Sequence, residues 1–442
     1  MRLAALLLIV LAGLALRLDH AWNGAAENLP DSAAYERLAR GIAIDGEFEQ
    51  IGPGLPAWTQ PADNYSPGLP LLVGGFFAVA GTEEARAARI LLALLGTLAI
   101  PVTFLLGRDL LGDGAGLAGA AIVAFYPTLV ADSGMILTEG LAGLLIGLAL
   151  LVLFRVVAGD YPTVAWTLPG LFFGLGAMVR PEFLLICAVL VVITALYLRG
   201  DGIRSALTGP VILLVTALVV ISPWTIRNAI ELDRFVPIST GGGQALFTGS
   251  YLPTDGDTQK LLPALFDEYP GLASDPLLIE APPPAGEQPP ADQVLTALAL
   301  RESPRVSPNA TLSRLGREQY LDALTGKPLR LTGFMAQKGY HVWLRGRASL
   351  TSSLGGQLLH WAILAFAVIG LWQVWRTRPF EFRILVGVLS TVTVIGLLLI
   401  ASPRRVLSIW PVVAALAGTG VALTASIPRA VLRKRSGTVP LP

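Results

Sequence analysis

The sequence predicts an all-α integral membrane protein with about ten transmembrane helices and two long extracytoplasmic loops. Three observations lead there. Of 442 residues, 53% are hydrophobic and only 14% charged, where an ordinary soluble domain carries about 25% charged residues. Mean hydropathy is +0.64. Apolar runs close to the ~20 residues that cross ~30 Å of hydrocarbon then recur along the whole chain. They lie near 3–18, 87–107, 114–132, 137–157, 164–180, 181–198, 207–225, 355–375, 384–401 and 406–426. The 14-residue run 68–81 is short for a span and reads as a helix at the interface or against the bundle.

This composition excludes a soluble globular enzyme, a disordered chain and a disulfide scaffold. The single cysteine, Cys187, sits inside an apolar run, so no intrachain disulfide forms. With 32 basic and 31 acidic residues the charge is near balance, and no concentrated basic face suggests nucleic acid. Met1-Arg2 and the run from Leu3 to Leu16 resemble a signal sequence. The run ends in Leu16-Arg17-Leu18-Asp19 without a small-x-small cleavage site, so an uncleaved first span is expected.

Basic residues in short loops set the orientation. Arg2, Arg108, Arg155, Arg199, Arg204, Arg376, Arg378, Arg383 and the tail Arg429, Arg433, Lys434 and Arg435 fall on one side. Both termini are therefore expected in the cytoplasm, and the two long loops outside. The chain divides into an N-terminal membrane module (1–225), a large extracytoplasmic segment (226–354) and C-terminal spans with a basic tail (355–442). The first loop, 18–86, holds ten acidic residues, among them Asp31, Glu36, Asp45, Glu47 and Glu49, against three basic ones. Pro61–Pro70 is turn-rich. Within the second loop, Pro263 to Pro308 is rich in proline, including Pro282-Pro283-Pro284 and Pro289-Pro290, and reads as irregular. A short helix is expected over Leu312–Leu324. An amphipathic interfacial helix is expected over Pro328–Leu344, with Leu331, Phe334, Met335 and Trp343 apolar and Arg330, Lys338, Arg345 and Arg347 polar.

Ionisable groups at membrane depth are costly and mark function. The candidates are Glu139, Arg180 and Glu182 around Pro181, Arg227 after Pro223-Trp224, and Arg404-Arg405. The Arg180-Pro181-Glu182 break is either a tight outer loop with snorkelling side chains or a phosphate contact. Arg404-Arg405 lies outside, against the positive-inside tendency, and needs an anionic partner. Asp31 follows Pro30 at the start of a helix and reads as an N-cap or as a functional acid. Gly241-Gly242-Gly243 lacks the Gly-Lys-Ser/Thr of a nucleotide loop. Asn309-Ala310-Thr311 is a bare glycosylation pattern, and His20, His341 and His360 show no metal-ligand spacing. No internal or inverted repeat stands out.

Five segments taken in order resemble the GT-C membrane glycosyltransferases that use polyprenyl-phosphate sugars, and most of all glycosyltransferase family 39, the protein O-mannosyltransferases and lipid A aminoarabinose transferases. They are Asp31-Ser32-Ala33-Ala34-Tyr35, Asn64-Tyr65-Ser66-Pro67-Gly68-Leu69-Pro70-Leu71-Leu72, Ala85–Leu111, Gly174 through Arg180-Pro181-Glu182, and Ser222-Pro223-Trp224-Thr225-Ile226-Arg227-Asn228 with Phe235-Val236-Pro237. The likeness spans about 1–250 and 310–426. Ser32 stands where many relatives have a second acid, and the late segment reads Arg404-Arg405-Val406-Leu407-Ser408-Ile409-Trp410-Pro411. The resemblance implies inverting transfer of a sugar to an acceptor hydroxyl on the outer face. Asp31 would be the general base, and Tyr35, Tyr65, Arg180, Glu182, Arg227, Arg404 and Arg405 would bind substrate and phosphate. It implies a polyprenyl-phosphate sugar donor and the bilayer as partners, an acceptor of unspecified class, and no cofactor, with metal dependence open. The rival readings are a transporter or flippase of a lipid-linked sugar, a whole-glycan ligase, and a scaffold without catalysis.

Overall fold

In the computed structural model the described residues are 2–24, 29–48, 64–159, 161–280, 289, 291–347 and 352–435. Glu49, Pro61, Pro282-Pro283-Pro284 and Pro290 lie outside them. Each of the ten apolar runs is helical. The first is α1 (Arg2–Asn23), followed by α2 (Pro30–Asp45), α3 (Gly68–Ala80), α4 (Ala85–Leu111), α5 (Asp113–Phe125), the short α6 (Pro127–Ala131) and α7 (Glu139–Ala158). Then come α8 (Thr167–Val179), α9 (Glu182–Leu198) and α10 (Ile203–Glu231). The C-terminal spans are α17 (Leu354–Thr377), α18 (Pro379–Leu398), the five-residue α19 (Pro403–Leu407) and α20 (Trp410–Arg435). No strand occurs among the described residues.

Length and composition alone qualify six helices as spans: α1, α4, α7, α10 from Ala206, α17 and α18. The count is seven if the pair 113–125 and 127–134, bent by 49°, is one span. The expected ten is not reached on that measure, because α8, α9 and the apolar part of α20 run 17 residues or fewer. The bend has a local cause. Tyr126 precedes Pro127, which cannot donate an amide and disfavours helix in the residue before it. The carbonyls freed at the end of α5 are taken by the buried Arg17 of α1, which donates to Val123 O at 2.6 Å and Ala124 O at 3.1 Å. An arginine at membrane depth is thus satisfied by backbone.

The bundle packs closely through small residues. A Cβ at Gly370 of α17 would sit 1.9 Å from Leu416 O of α20, and one at Gly420 would sit 2.1 Å from Phe366 O. Without a hydrophobic drive between helices in lipid, such backbone approach is the main source of association. Trp410, fully buried, lies against the Tyr126 ring at 4.3 Å and stacks on His360 at 5.7 Å. The outer faces of the bundle, such as Leu3, Leu8 and Val79, remain exposed and apolar as lipid requires.

The second loop corrects two expectations. The described residues of its Pro263–Pro308 stretch are largely helical, with α11 (Gly242–Ser250) leading into α12 (Leu261–Glu268), α13 (Pro276–Glu280) and α14 (Ala291–Glu302), followed by α15 (Pro308–Gly326) and α16 (Pro328–Trp343). Phe247, Leu265, Leu272, Val294, Leu298 and Leu312 form a core separate from that of the bundle. The prolines open helices rather than break them, since position N1 needs no amide donor. The amphipathic helix over 328–343 is present, but Lys338 is on its buried face, between Phe334 and Val342. The lysine Nζ donates to Gly249 O at 2.5 Å and Tyr320 OH at 3.0 Å. Its desolvation, with Arg405 nearby, lowers the ammonium to about 7.

Candidate active site

The ends of α2, α7, α9 and α18 converge on a cleft of about 660 Å³, lined by Asp31, Tyr35, Ser66, Thr138, Arg180, Glu182, Ile400, Ser402, Arg404 and Arg405, among others. Local structure explains each placement. Leu29, not Asp31, is the N-cap of α2, with Pro30 at N1 and no side-chain cap bond. The capping reading of Asp31 is therefore overturned. Its carboxylate turns instead to Arg404, whose Nη1 donates to Oδ2 at 2.6 Å. Ser32 fixes the helix in place by accepting the buried Ile136 amide at 3.0 Å, which ties α2 to the segment entering α7.

Arg180 breaks the chain between α8 and α9 in an extended conformation, φ −143° and ψ 110°. It does not snorkel to solvent, for its side chain is 14% exposed. Its Nε donates to Glu182 Oε1 at 2.8 Å and its Nη1 to Thr138 Oγ1 at 3.2 Å. Close packing holds this corner, since a Cβ at Gly68 would meet Met178 backbone at 2.7 Å. Ser402 Oγ accepts the Arg404 amide at 3.3 Å and starts α19. Arg405 donates to Ile400 O at 2.9 Å and faces Glu182 Oε1 at 3.7 Å.

Behind the cleft, the fully buried Glu139 accepts from Arg404 Nε and lies 3.8 Å from Arg180 Nη1. Three guanidiniums (Arg180, Arg404, Arg405) thus meet three carboxylates (Asp31, Glu139, Glu182). A buried charge set of this kind persists only when it is mutually paired. Burial, with the Asp31 charge adding to it, pushes the Tyr35 phenol up. Tyr65, edge-on to Tyr35 at 5.4 Å, is raised in the same way. Both stay neutral donors. Asp292 of α14 is raised chiefly by burial and lies within electrostatic reach of Arg37 and Asp31, so the second loop reaches this site.

Of the predicted residues, Asp31, Tyr35, Arg180, Glu182, Arg404 and Arg405 come together. Tyr65 stands one layer back. Arg227 is not among the cleft residues; its guanidinium packs over Trp224 at 4.9 Å and Phe48 at 5.9 Å and donates to Asn228 Oδ1. Sequence reasoning named Glu139 as a candidate, a carboxylate at the start of an apolar span, without giving it a role, and did not single out Ser66, Thr138 or Ser402. Among the described residues no group of three His, Cys, Asp or Glu gathers in metal-binding geometry.

A helical bundle with an arginine–carboxylate cleft at the helix ends defines a multi-spanning membrane protein of the GT-C fold. The fold is shared with the oligosaccharyltransferase AglB of Archaeoglobus fulgidus, solved with an inhibitory peptide and a dolichol-phosphate. That match has 14% identity and a TM-score of 0.57, covering 100% of this chain and 52% of that one. The apo form of the same enzyme matches at 16% identity and TM-score 0.57, covering 100% and 53%. The chain spans about half the length of these proteins. ArnT from Cupriavidus metallidurans, bound to undecaprenyl phosphate, superposes more loosely, at 13% identity and TM-score 0.40 over 98% of this chain and 81% of that one.

Residues 63–226 match the family described as dolichyl-phosphate-mannose-protein mannosyltransferase. That range takes in Tyr65, Glu139, Arg180 and Glu182, and ends just before Arg227. No curated protein matches this sequence.

Proposed function

We propose that the protein is a membrane glycosyltransferase that moves a sugar from a polyprenyl-phosphate donor to an acceptor hydroxyl, with inversion at the anomeric carbon. The Asp31–Arg404 contact carries this reading. It sets a carboxylate and a guanidinium side by side in one cleft at the helix ends, the pair that a base and a phosphate-binding group would need. A donor phosphate competes with Asp31 for Arg404, because the planar fork of arginine suits both. As the phosphate takes Arg404 it frees the Asp31 carboxylate, so donor binding itself arms the base.

In the transfer step the acceptor oxygen forms a bond to the anomeric carbon while the carbon–oxygen bond to phosphate breaks. The hydroxyl proton goes to Asp31 and the electron pair leaves with the phosphate. Arg404, Arg405 and Arg180 stabilise the charge that develops there. Glu139 and Glu182 keep those guanidiniums oriented when no donor is bound. The prenyl tail runs between spans, and Tyr35 and Ser66 supply hydroxyls at the sugar. No cofactor is called for, since the donor carries its own leaving group. The distribution of arginines supports a cleft on the outer face and both termini in the cytoplasm. The family description and the lipid-phosphate complex of the archaeal relative support the donor class.

The test is sugar transfer by membranes supplied with labelled polyprenyl-phosphate sugars. Asp31→Asn, expressed and inserted at wild-type level, should lose about 10²–10⁴-fold in rate, the usual contribution of a general base. Equal transfer by the variant would remove Asp31 from that role. Uptake of intact lipid-linked sugar without transfer would favour a carrier.

A further inference from the structure

α9 and α18 pack along one another, and at their ends remote from the cleft they part. They leave a crevice of about 880 Å³ lined by Ile193, Leu196, Tyr197, Phe382 and Val386, with Arg199 and Arg383 also on its wall. α9 runs 17 residues from Glu182, so at 1.5 Å per residue the crevice lining extends from about 17 to about 25 Å from the cleft. It is a separate site on the opposite side of the bilayer.

Its chemistry is two-sided. The aliphatic wall is wide enough for an alkyl chain. At the helix ends the Arg383 guanidinium lies 5.3 Å over the Tyr197 ring, and Tyr197 in turn packs on Phe380 at 4.8 Å. An aromatic cluster at a helix end marks head-group depth. Two other arginines at this end have carboxylate partners, Arg155 with Asp109 at 2.9 Å and Arg378 with Glu381 at 3.9 Å, while Arg376 lies over the Trp372 ring. Among the described residues neither Arg199 nor Arg383 has a carboxylate partner. Two uncompensated guanidiniums beside an apolar slot that opens to lipid are complementary to a phosphate with a hydrocarbon tail.

We propose that this crevice is a binding site for an anionic glycerophospholipid, with its phosphate on Arg199 and Arg383 and one acyl chain between α9 and α18. The site does not depend on the transfer reaction. A free phosphate would leave the apolar wall uncovered. A zwitterionic lipid would bring a cation toward two arginines.

The full-length protein in detergent is tested by native mass spectrometry with phosphatidylglycerol or phosphatidylcholine at equal concentration. Thermal midpoints are measured with each lipid and with inorganic phosphate. Phosphatidylglycerol should be retained roughly tenfold better than phosphatidylcholine, in keeping with two basic contacts, and should raise the midpoint where inorganic phosphate does not. Arg199→Gln with Arg383→Gln should bring phosphatidylglycerol down to the phosphatidylcholine level. Leu196→Trp, at a 57% exposed position, should block the slot and weaken retention with both arginines intact. Equal retention of the two lipids by the wild type would overturn the proposal. So would an unchanged preference in the double variant, or equal protection by inorganic phosphate.

Discussion

Replacing Glu139 by Gln removes one buried charge from behind the cleft, where it pairs with Arg404 and Arg180, without changing side-chain shape. The wild-type set is three guanidiniums against three carboxylates, and the variant leaves three against two. Glu139 is fully buried, accepts from Arg404 Nε and faces Arg180 Nη1 at 3.8 Å. Its loss therefore falls on two cations at once. Breaking one partner of a buried ion pair costs about 3–5 kcal/mol, which is roughly 10²–10⁴ in an equilibrium constant. The assay is thermal unfolding of the purified protein in detergent, followed by tryptophan fluorescence, with and without polyprenyl phosphate. Glu139→Gln alone should unfold at clearly lower temperature. An added lipid phosphate supplies the missing negative charge, so its stabilising increment should exceed that seen with wild type. Equal midpoints for the two proteins, or equal increments on adding lipid phosphate, would refute the charge balance and the place of phosphate in it.

Three further outcomes follow from the same contacts. Arg404→Lys keeps the charge but loses the fork that bridges Asp31 and Glu139. Transfer in the membrane assay should fall about 10–100-fold, while expression stays near wild type. Ser32→Ala leaves the buried Ile136 amide without its acceptor and should cost about 1–3 kcal/mol in the detergent midpoint; Ser32→Thr should recover part of it. Lys338 titrates near 7 when folded and in the ordinary lysine range when unfolded. Above pH 7 the unfolded chain holds the extra proton, so stability rises with pH by up to about 1.4 kcal/mol per unit and is flat below. The difference in midpoint between wild type and Lys338→Met, measured from pH 6 to 9.5, should show that slope. A parallel pair of curves would place the Lys338 titration elsewhere.

The spans were legible because a long apolar run has few alternatives to a membrane helix, and ten such runs fold as helices. The segment 226–354 was less so. Pro276, Pro308 and Pro328 look like breakers in a string but occupy the first positions of α13, α15 and α16, where the missing amide costs nothing. Lys338 was assigned to the polar face by its charge alone, yet it lies four residues after Phe334 and four before Val342, on their face of the helix. For the cleft, residue type pointed to Asp31, Arg180, Glu182 and Arg404, and to Glu139 as a candidate, but not to how they pair. Nothing local in the string says that Glu139 meets Arg404, 265 residues further on, because that contact belongs to tertiary packing. The Arg227–Trp224 contact, by contrast, is local, three residues apart on α10.

That separation has a consequence for biogenesis. Asp31 and Arg404 are 373 residues apart. At about 5–20 residues per second, the ribosome delivers the arginine roughly 20–75 s after the acid. Throughout that interval α2 waits at the membrane without its counter-charge. Only a polypeptide whose late helices have threaded the translocon in the right sense can close the contact. The cleft thus acts as a checkpoint on topology, since a chain inserted with one helix inverted would carry Asp31 and Arg404 on opposite sides of the bilayer.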